Sequence, residues 1–146
     1  MQTSKINARY RHEYTMQKNE FAKSSTKEIV TEFMQAWERK DWKTVRSHII
    51  DNISVLAPGP FKPNTFHQAE AYMYYLEHSN YPPREIKKMI ADGNDVCLLF
   101  EMTYPEPPPP LTTFLCGLFH VNDDGKISSL RIVLDPRELF QKYFKR

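Results

Sequence analysis

The chain has 146 residues, enough for one domain with one substantial core and too few for two. Its 20 Lys and Arg against 18 Asp and Glu give a formal charge of +2, but the excess is uneven. Six basic groups (Lys5, Arg9, Arg11, Lys18, Lys23, Lys27) and two acids (Glu13, Glu20) give +4 to residues 1–27, which leaves −2 for the rest. A hydrophobic content of 40% with 13% aromatic residues excludes a disordered chain.

The first 25 residues lack the apolar stretch of a secretory signal, and no run approaches the ~18 consecutive apolar residues of a membrane span. They read as a basic N-terminal extension, 1–25, ahead of one domain, 26–146. Their charge faintly resembles a transit peptide, against which Glu13 and Glu20 argue, and a cytoplasmic protein is expected. Cys97 and Cys116 lie inside apolar strand-like runs. Without a secretory signal they are expected as two reduced, buried thiols, and two cysteines at this spacing are too few for a metal site.

Ser25 with Glu28 forms a capping-box pattern, and Ile29, Val30, Phe33, Met34 and Trp37 recur behind it at helical spacing. Asp41 is placed to cap a second helix carrying Trp42, Val45 and Ile49. A short strand, residues 53–57, runs into Pro58-Gly59-Pro60. Thr65 with Gln68 repeats the capping pattern and opens a third helix through Phe66, Ala69, Tyr72, Met73 and Leu76, and Tyr81-Pro82-Pro83 ends that unit.

From Arg84 the apolar period changes to two. Strands are expected over 85–91 and 96–104, joined by a turn at Asp92-Gly93-Asn94-Asp95. The run from Pro105 to Pro110 cannot donate to a ladder and is a loop. Strands over 111–122 and 126–134 follow, joined by Asp123-Asp124-Gly125. Asp135-Pro136 then has the cap-and-proline signature of a short terminal helix through Leu139, Phe140 and Tyr143. Helices first and an antiparallel meander after them make an α+β fold.

The stretch "EIVTEFMQAWERKDWKTVRSHIIDNISVLAPGP", the helix after it and "FHVNDDGKISSLRIVLDP" near the end resemble the nuclear-transport-factor-two-like superfamily. That superfamily includes SnoaL-like polyketide cyclases and ketosteroid isomerases. The resemblance covers about residues 26–140. It implies a cone-shaped, cystatin-like α+β fold: N-terminal helices packed on a curved, mainly antiparallel sheet around a pocket. It also implies sheet-to-sheet homodimers. A ferredoxin-like fold fits less well, because two helices precede the first strand.

Strand alternation separates two faces. Set beside ketosteroid isomerases, one face turns Phe100, Met102, Tyr104, Leu115, Phe119 and Ile132 into the pocket, where Phe33, Trp37 and Tyr72 of the helices join them as ligand-binding candidates. The other face carries Leu99, Glu101, Phe114, Leu118, His120 and Arg131. Apolar with a few charges, it suits a dimer interface or a docked N-terminal tail. A bulge at Gly117 would swap the faces beyond it. The resemblance places the isomerases' proton-shuttling aspartate at Ala57, their oxyanion tyrosine near Phe33 and their protonated acid near Gly117, so that catalytic set is missing.

Two catalytic candidates remain. His67, near the start of the third helix, is a general acid or base at the pocket mouth or an exposed first-turn histidine. Asp135 stands where SnoaL-like cyclases often have an acid, but Pro136 and Glu138 make helix capping the stronger reading. His120, Glu101 and Arg131 suggest a charge network across neighbouring strands, and His48 is expected to pack on the second helix. Tyr72, Tyr74, Tyr75 and Tyr104 carry hydroxyls that could orient an apolar ligand, against the favoured reading of the first three as half-buried helix residues. The tail's charge, without a basic aromatic patch, is weak support for nucleic-acid binding. No phosphate loop, nucleophile elbow or metal-spaced cluster is present, so no cofactor and no metal are expected.

The leading expectation is a small-molecule-binding domain with an apolar pocket, with lyase, cyclase or isomerase action on a hydrophobic substrate among its activities. The alternative is a non-catalytic homodimerisation or protein-interaction module.

Overall fold

The computed structural model of the chain describes residues 26–59, 62–134, 137 and 141. The N-terminal extension, the Ser25 cap, Asp135 and nearly all of the expected terminal helix lie outside the described residues.

Helix α1 spans residues 26–38 and buries Val30, Phe33, Met34, Ala36 and Trp37, the stripe that its 3.6-residue period dictates. It ends in a tight cap. The Lys40 amide donates to Trp37 O at 2.9 Å, the Asp41 amide donates to Ala36 O at 2.9 Å, and Lys40 takes a left-handed φ of 57°. Asp41 then caps α2, Trp42–Ser47, accepting the Thr44 amide at 3.2 Å and the Thr44 hydroxyl at 2.7 Å. His48 closes α2: Nδ1–H donates to Thr44 O at 2.8 Å, while Nε2 lies 3.0 Å from Glu32 of α1.

Strand β1 runs from Ile49 to Ala57 and turns Ile49, Ile53, Val55 and Ala57 inward. It is longer than expected, because Ile49 leaves the second helix and starts the strand. A three-residue strand, β2 (Asn64–Phe66), pairs antiparallel with it. The Thr65–Gln68 capping box does not form. Thr65 pairs with Leu56 in the sheet, and helix α3, Ala69–His78, starts after Gln68 without a side-chain cap.

Strands β3 (Arg84–Asp92) and β4 (Asp95–Tyr104) form a hairpin whose two-residue turn places Gly93 at φ 59°, a conformation glycine adopts without strain. Strands β5 (Leu111–Val121) and β6 (Ile127–Val133) complete a six-stranded sheet of order β2-β1-β6-β5-β4-β3. All pairings are antiparallel except β1 with β6, so the sheet is mixed.

Pairing through Gly117 is regular: it faces Leu98 on one side and Ile132 on the other. The irregularities fall elsewhere, between Ile49 and Ser54, between Ile86 and Lys88, and between His120 and Val121. Directly paired residues share a face. Val96, Leu98, Phe100, Met102, Leu115, Gly117, Phe119 and Leu130 therefore lie on one side, and Phe33 of α1 packs edge-on against Phe119 at 5.9 Å. That side, closed by α1 and α3, is the core.

Candidate functional site

A file of aromatic rings crosses this helix-covered side. Phe66 at the end of β2 lies 5.6 Å from Tyr72 and 4.9 Å from Tyr75 of α3. Tyr75 meets Tyr81 edge-on at 6.2 Å, and Tyr81 meets Trp37 of α1 at 5.3 Å. Helical spacing puts Tyr72 and Tyr75 on one face of α3, and Pro82-Pro83 carries the chain from Tyr81 into β3.

Arg84 is the first residue of β3 and sits directly opposite Met102, which puts it on the core side. Its guanidinium carbon lies 3.7 Å from the centre of the Trp37 ring and 5.9 Å from that of Tyr81. Burial pushes the Arg84 pKa down, opposed by the charge of Glu38.

Two polar atoms here are buried without a hydrogen-bond partner among the described residues: the Tyr72 hydroxyl and Arg84 Nη1. Tyr72 is 1% exposed. Burial raises its pKa, as does the neighbouring Tyr75, so the phenol keeps its proton, and Arg84 is near enough for its charge to act on the hydroxyl. The Tyr81 hydroxyl, in contrast, donates to the Tyr75 hydroxyl at 2.5 Å, and burial pushes Tyr81 up as well. Beside this cluster a cleft of about 430 Å³ opens to solvent, with Trp37, Trp42, Tyr81, Pro82 and Arg84 among its walls and Glu38, Lys40 and Glu77 around them.

The expected ligand-binding residues divide by depth. Phe33, Trp37, Tyr72, Phe100, Met102, Leu115 and Phe119 are buried on the core side, and Tyr104 and Ile132 are half-buried. Trp37 and Tyr72 belong to the aromatic cluster with its two unpartnered donors, and Phe33 packs edge-on against Trp37 at 6.1 Å. Tyr74 is exposed and stacks on His78 at 4.0 Å. His67 is exposed in the link between β2 and α3. Sequence reasoning did not single out Arg84 or Tyr81. The usable signal is an arginine in the first position of a strand, straight after Tyr-Pro-Pro, and only the register with Met102 turns it inward.

The isomerase positions are packed. Ala57 and Phe33 are buried, and a Cβ on Gly117 would stand 3.1 Å from the Phe119 ring and 3.6 Å from that of Phe100. The buried hydroxyl side chains besides Tyr72 are Thr26 and Thr113 among the described residues. The buried part of the site thus offers donors to an oxygen, and the carboxylates nearest to it among the described residues, Glu38 and Glu77, line the open cleft. Among the described residues no cluster of three His, Cys, Asp or Glu could hold a metal, and no helix is long and apolar enough to cross a membrane.

On the outer face Leu99, Phe114, Leu118 and Arg131 are exposed, and Glu101 and His120 half-buried. The network expected from the last three does not form, because the register separates them. His120 faces Asp95 and binds its carboxylate at 2.7 Å. Glu101 faces Glu85, and Lys87 bridges the two carboxylates at 3.0 and 3.3 Å. Arg131 faces Leu118. The cysteines lie on this face too. They are free and half-buried, not fully buried, with their sulfurs 3.3 Å apart.

The family model of the SnoaL-like domain matches residues 30–130. The chain belongs to that family. Among solved structures, an NTF2-like protein of unknown function from Cytophaga hutchinsonii is 29% identical with a TM-score of 0.65, covering 79% of this chain and 94% of its own. A putative SnoaL-like polyketide cyclase from Jannaschia is 11% identical at a TM-score of 0.71, over 86% and 95% of the two chains. An LEH-like epoxide hydrolase from M. tuberculosis is 19% identical at 0.66, over 84% and 92%. The last two are alike in fold alone. Comparison with curated protein sequences gives no match. The SnoaL-like domain thus has the expected α+β architecture, on a scaffold that hosts unrelated functions.

Proposed function

We propose that this SnoaL-like domain binds a hydrophobic small molecule on the helix-covered side of its sheet, with an oxygen of the ligand at the Tyr72 hydroxyl. The observation that carries the reading is that hydroxyl: a protonated donor, buried among aromatic rings, without a hydrogen-bond partner among the described residues. An unmade hydrogen bond at a buried donor costs about 1–3 kcal/mol, and a ligand acceptor recovers it. The flat apolar walls of the adjoining cleft, Trp37, Trp42, Tyr81 and Pro82, supply the rest of the affinity.

Lyase, cyclase or isomerase chemistry at this site would be donor-assisted. Tyr72 would polarise a carbonyl or hold an enolate, with the base supplied by the substrate, by Glu38 or Glu77 of the cleft, or by Asp135 beyond the described residues. Thermal-shift screening against hydrophobic carboxylates, polyketides and sterols tests the reading. A binder is expected to raise the melting temperature, and Tyr72→Phe to weaken it about tenfold. A panel without a single shift, together with a crystal structure showing the interior filled by protein atoms, overturns it.

A second reading, a homodimerisation module, is favoured by one specific observation. Ile90, Leu99, Phe114, Leu118 and Val133 are 36–59% exposed on the outer face, a contiguous apolar surface of the kind that interfaces bury. Sedimentation at micromolar concentration decides it: a monomer with wild-type Phe114 excludes the sheet-to-sheet pair.

A further inference from the structure

We infer that the ligand of this site is an anion, a carboxylate on a flat hydrophobic body, and that Arg84 reads the charge. The inference rests on the small-molecule reading above and narrows it to one chemical class. Tyr72 by itself would accept any oxygen, neutral or charged. Arg84 changes that, because its charge is half-buried and no carboxylate hydrogen-bonds to it among the described residues. Glu38 acts on it only through space.

Geometry makes the guanidinium a fork for a carboxylate. Its central carbon lies 3.7 Å from the centre of the Trp37 ring, too close for an N–H to point straight into the ring, so the in-plane N–H bonds are directed sideways. Nη1 is buried and unused, and in-plane N–H pairs match the two oxygens of a carboxylate. A buried cation without a hydrogen-bonded counter-ion is costly, and removing that deficit favours an anion over a neutral isostere. Around the cleft Glu38 and Glu77 outweigh Lys40 by one charge, which Arg84 balances, so selection for an anion falls to the local N–H geometry of Arg84 and not to the net charge of the cleft. Trp37, Trp42, Tyr81 and Pro82 present flat apolar surfaces, which suit a planar ligand body.

The test is calorimetric titration of the full chain with naphthoate and with naphthamide, equal in shape and different in charge. Naphthoate is expected to bind at least about tenfold more tightly, as a charge-assisted pair does over a neutral one. The preference should shrink in Arg84→Lys, which keeps the charge and loses the fork, and vanish in Arg84→Met, each checked for folding by circular dichroism. Should Arg84→Met not fold, Arg84→Lys together with a falling naphthoate affinity in rising salt carries the test. Equal affinity for naphthamide and naphthoate overturns the anion assignment and leaves small-molecule binding standing. Failure of both probes, with failure of the wider hydrophobic panel, overturns the small-molecule reading and this inference with it.

Discussion

Cys97 and Cys116 hold their sulfurs 3.3 Å apart on the outer side of the sheet. They are diagonal neighbours, since Cys97 pairs with Leu118 and Cys116 with Leu99. Diagonal positions have Cα atoms ~7–8 Å apart, beyond the usual reach of a disulfide, whereas one atom bridging both sulfurs fits without moving the strands. A trivalent aryl arsenical is therefore expected to bind one per chain and to remove both thiols from a colorimetric count, with Cys97→Ser abolishing the bridge. Burial and the contact with Cys97 push the Cys116 thiol up, so its alkylation should accelerate as pH rises. Two thiols that titrate with the arsenical independently would refute the juxtaposition.

Lys40 pays a backbone penalty at the end of α1. A left-handed φ costs a side-chain-bearing residue ~1–2 kcal/mol, of which glycine's larger unfolded-state entropy returns ~0.5–1. Lys40→Gly should therefore stabilise the protein by about 0.5–1 kcal/mol in urea denaturation. A loss of stability would mean that the cap is not left-handed in solution.

The Asp41 cap carries an acid signature. Hydrogen bonds from the Thr44 hydroxyl and then the Thr44 amide lower its pKa below the ordinary 3.8. A depressed folded-state pKa gives stability that is present above the unfolded value and is lost as pH falls through the folded one. Asp41→Asn should flatten the acid limb of the stability curve below pH 3.8. An unchanged acid limb would show that the carboxylate is not held by Thr44.

A side chain at Gly117 would press on the ring of Phe119. Phe119, its nearest obstacle at 3.1 Å, is 2% exposed and backed by Phe33, so the ring cannot swing away. Gly117→Ala is expected to cost ~1–3 kcal/mol as an overpacked site, measured by denaturant midpoint. A neutral result would reveal a cavity beside the ring.

Tyr72→Phe should separate stability from binding. Removing a hydroxyl that already lacks a partner is expected to leave the unliganded protein unchanged or stabilise it by up to about 1 kcal/mol, while ligand affinity falls. A clear loss of stability without ligand would mean that the hydroxyl is satisfied in solution.

Much of the fold was legible because its signals are local. The helical stripe Val30–Phe33–Met34–Trp37, the Asp41 cap, the Gly93 turn and the alternation of Val96 to Tyr104 each announce one element by period or turn chemistry. Errors arose where tertiary pairing overrode local chemistry: Thr65 resembles a cap but is claimed by Leu56 across the sheet, and Ile49 continues a helical face but pairs with Ile127. The site was legible in part. Tyr72 and Trp37 follow from helix faces, but Arg84 reads as a solvent-facing strand end until its register with Met102 is known. For the same reason His120, Glu101 and Arg131 seemed to form one network, although each faces a different partner.

The parallel pairing of β1 with β6 makes residues near position 50 wait for those near 130. During synthesis the first two helices and β1 emerge well before the strand that will lie beside them, so the edge of β1 stays open until β6 has been made. Closing so long a loop is entropically slow. Truncation before Ile127 therefore removes more than a terminal strand: it divides the sheet into the β1–β2 pair and the β3–β4–β5 meander, with no backbone ladder between them.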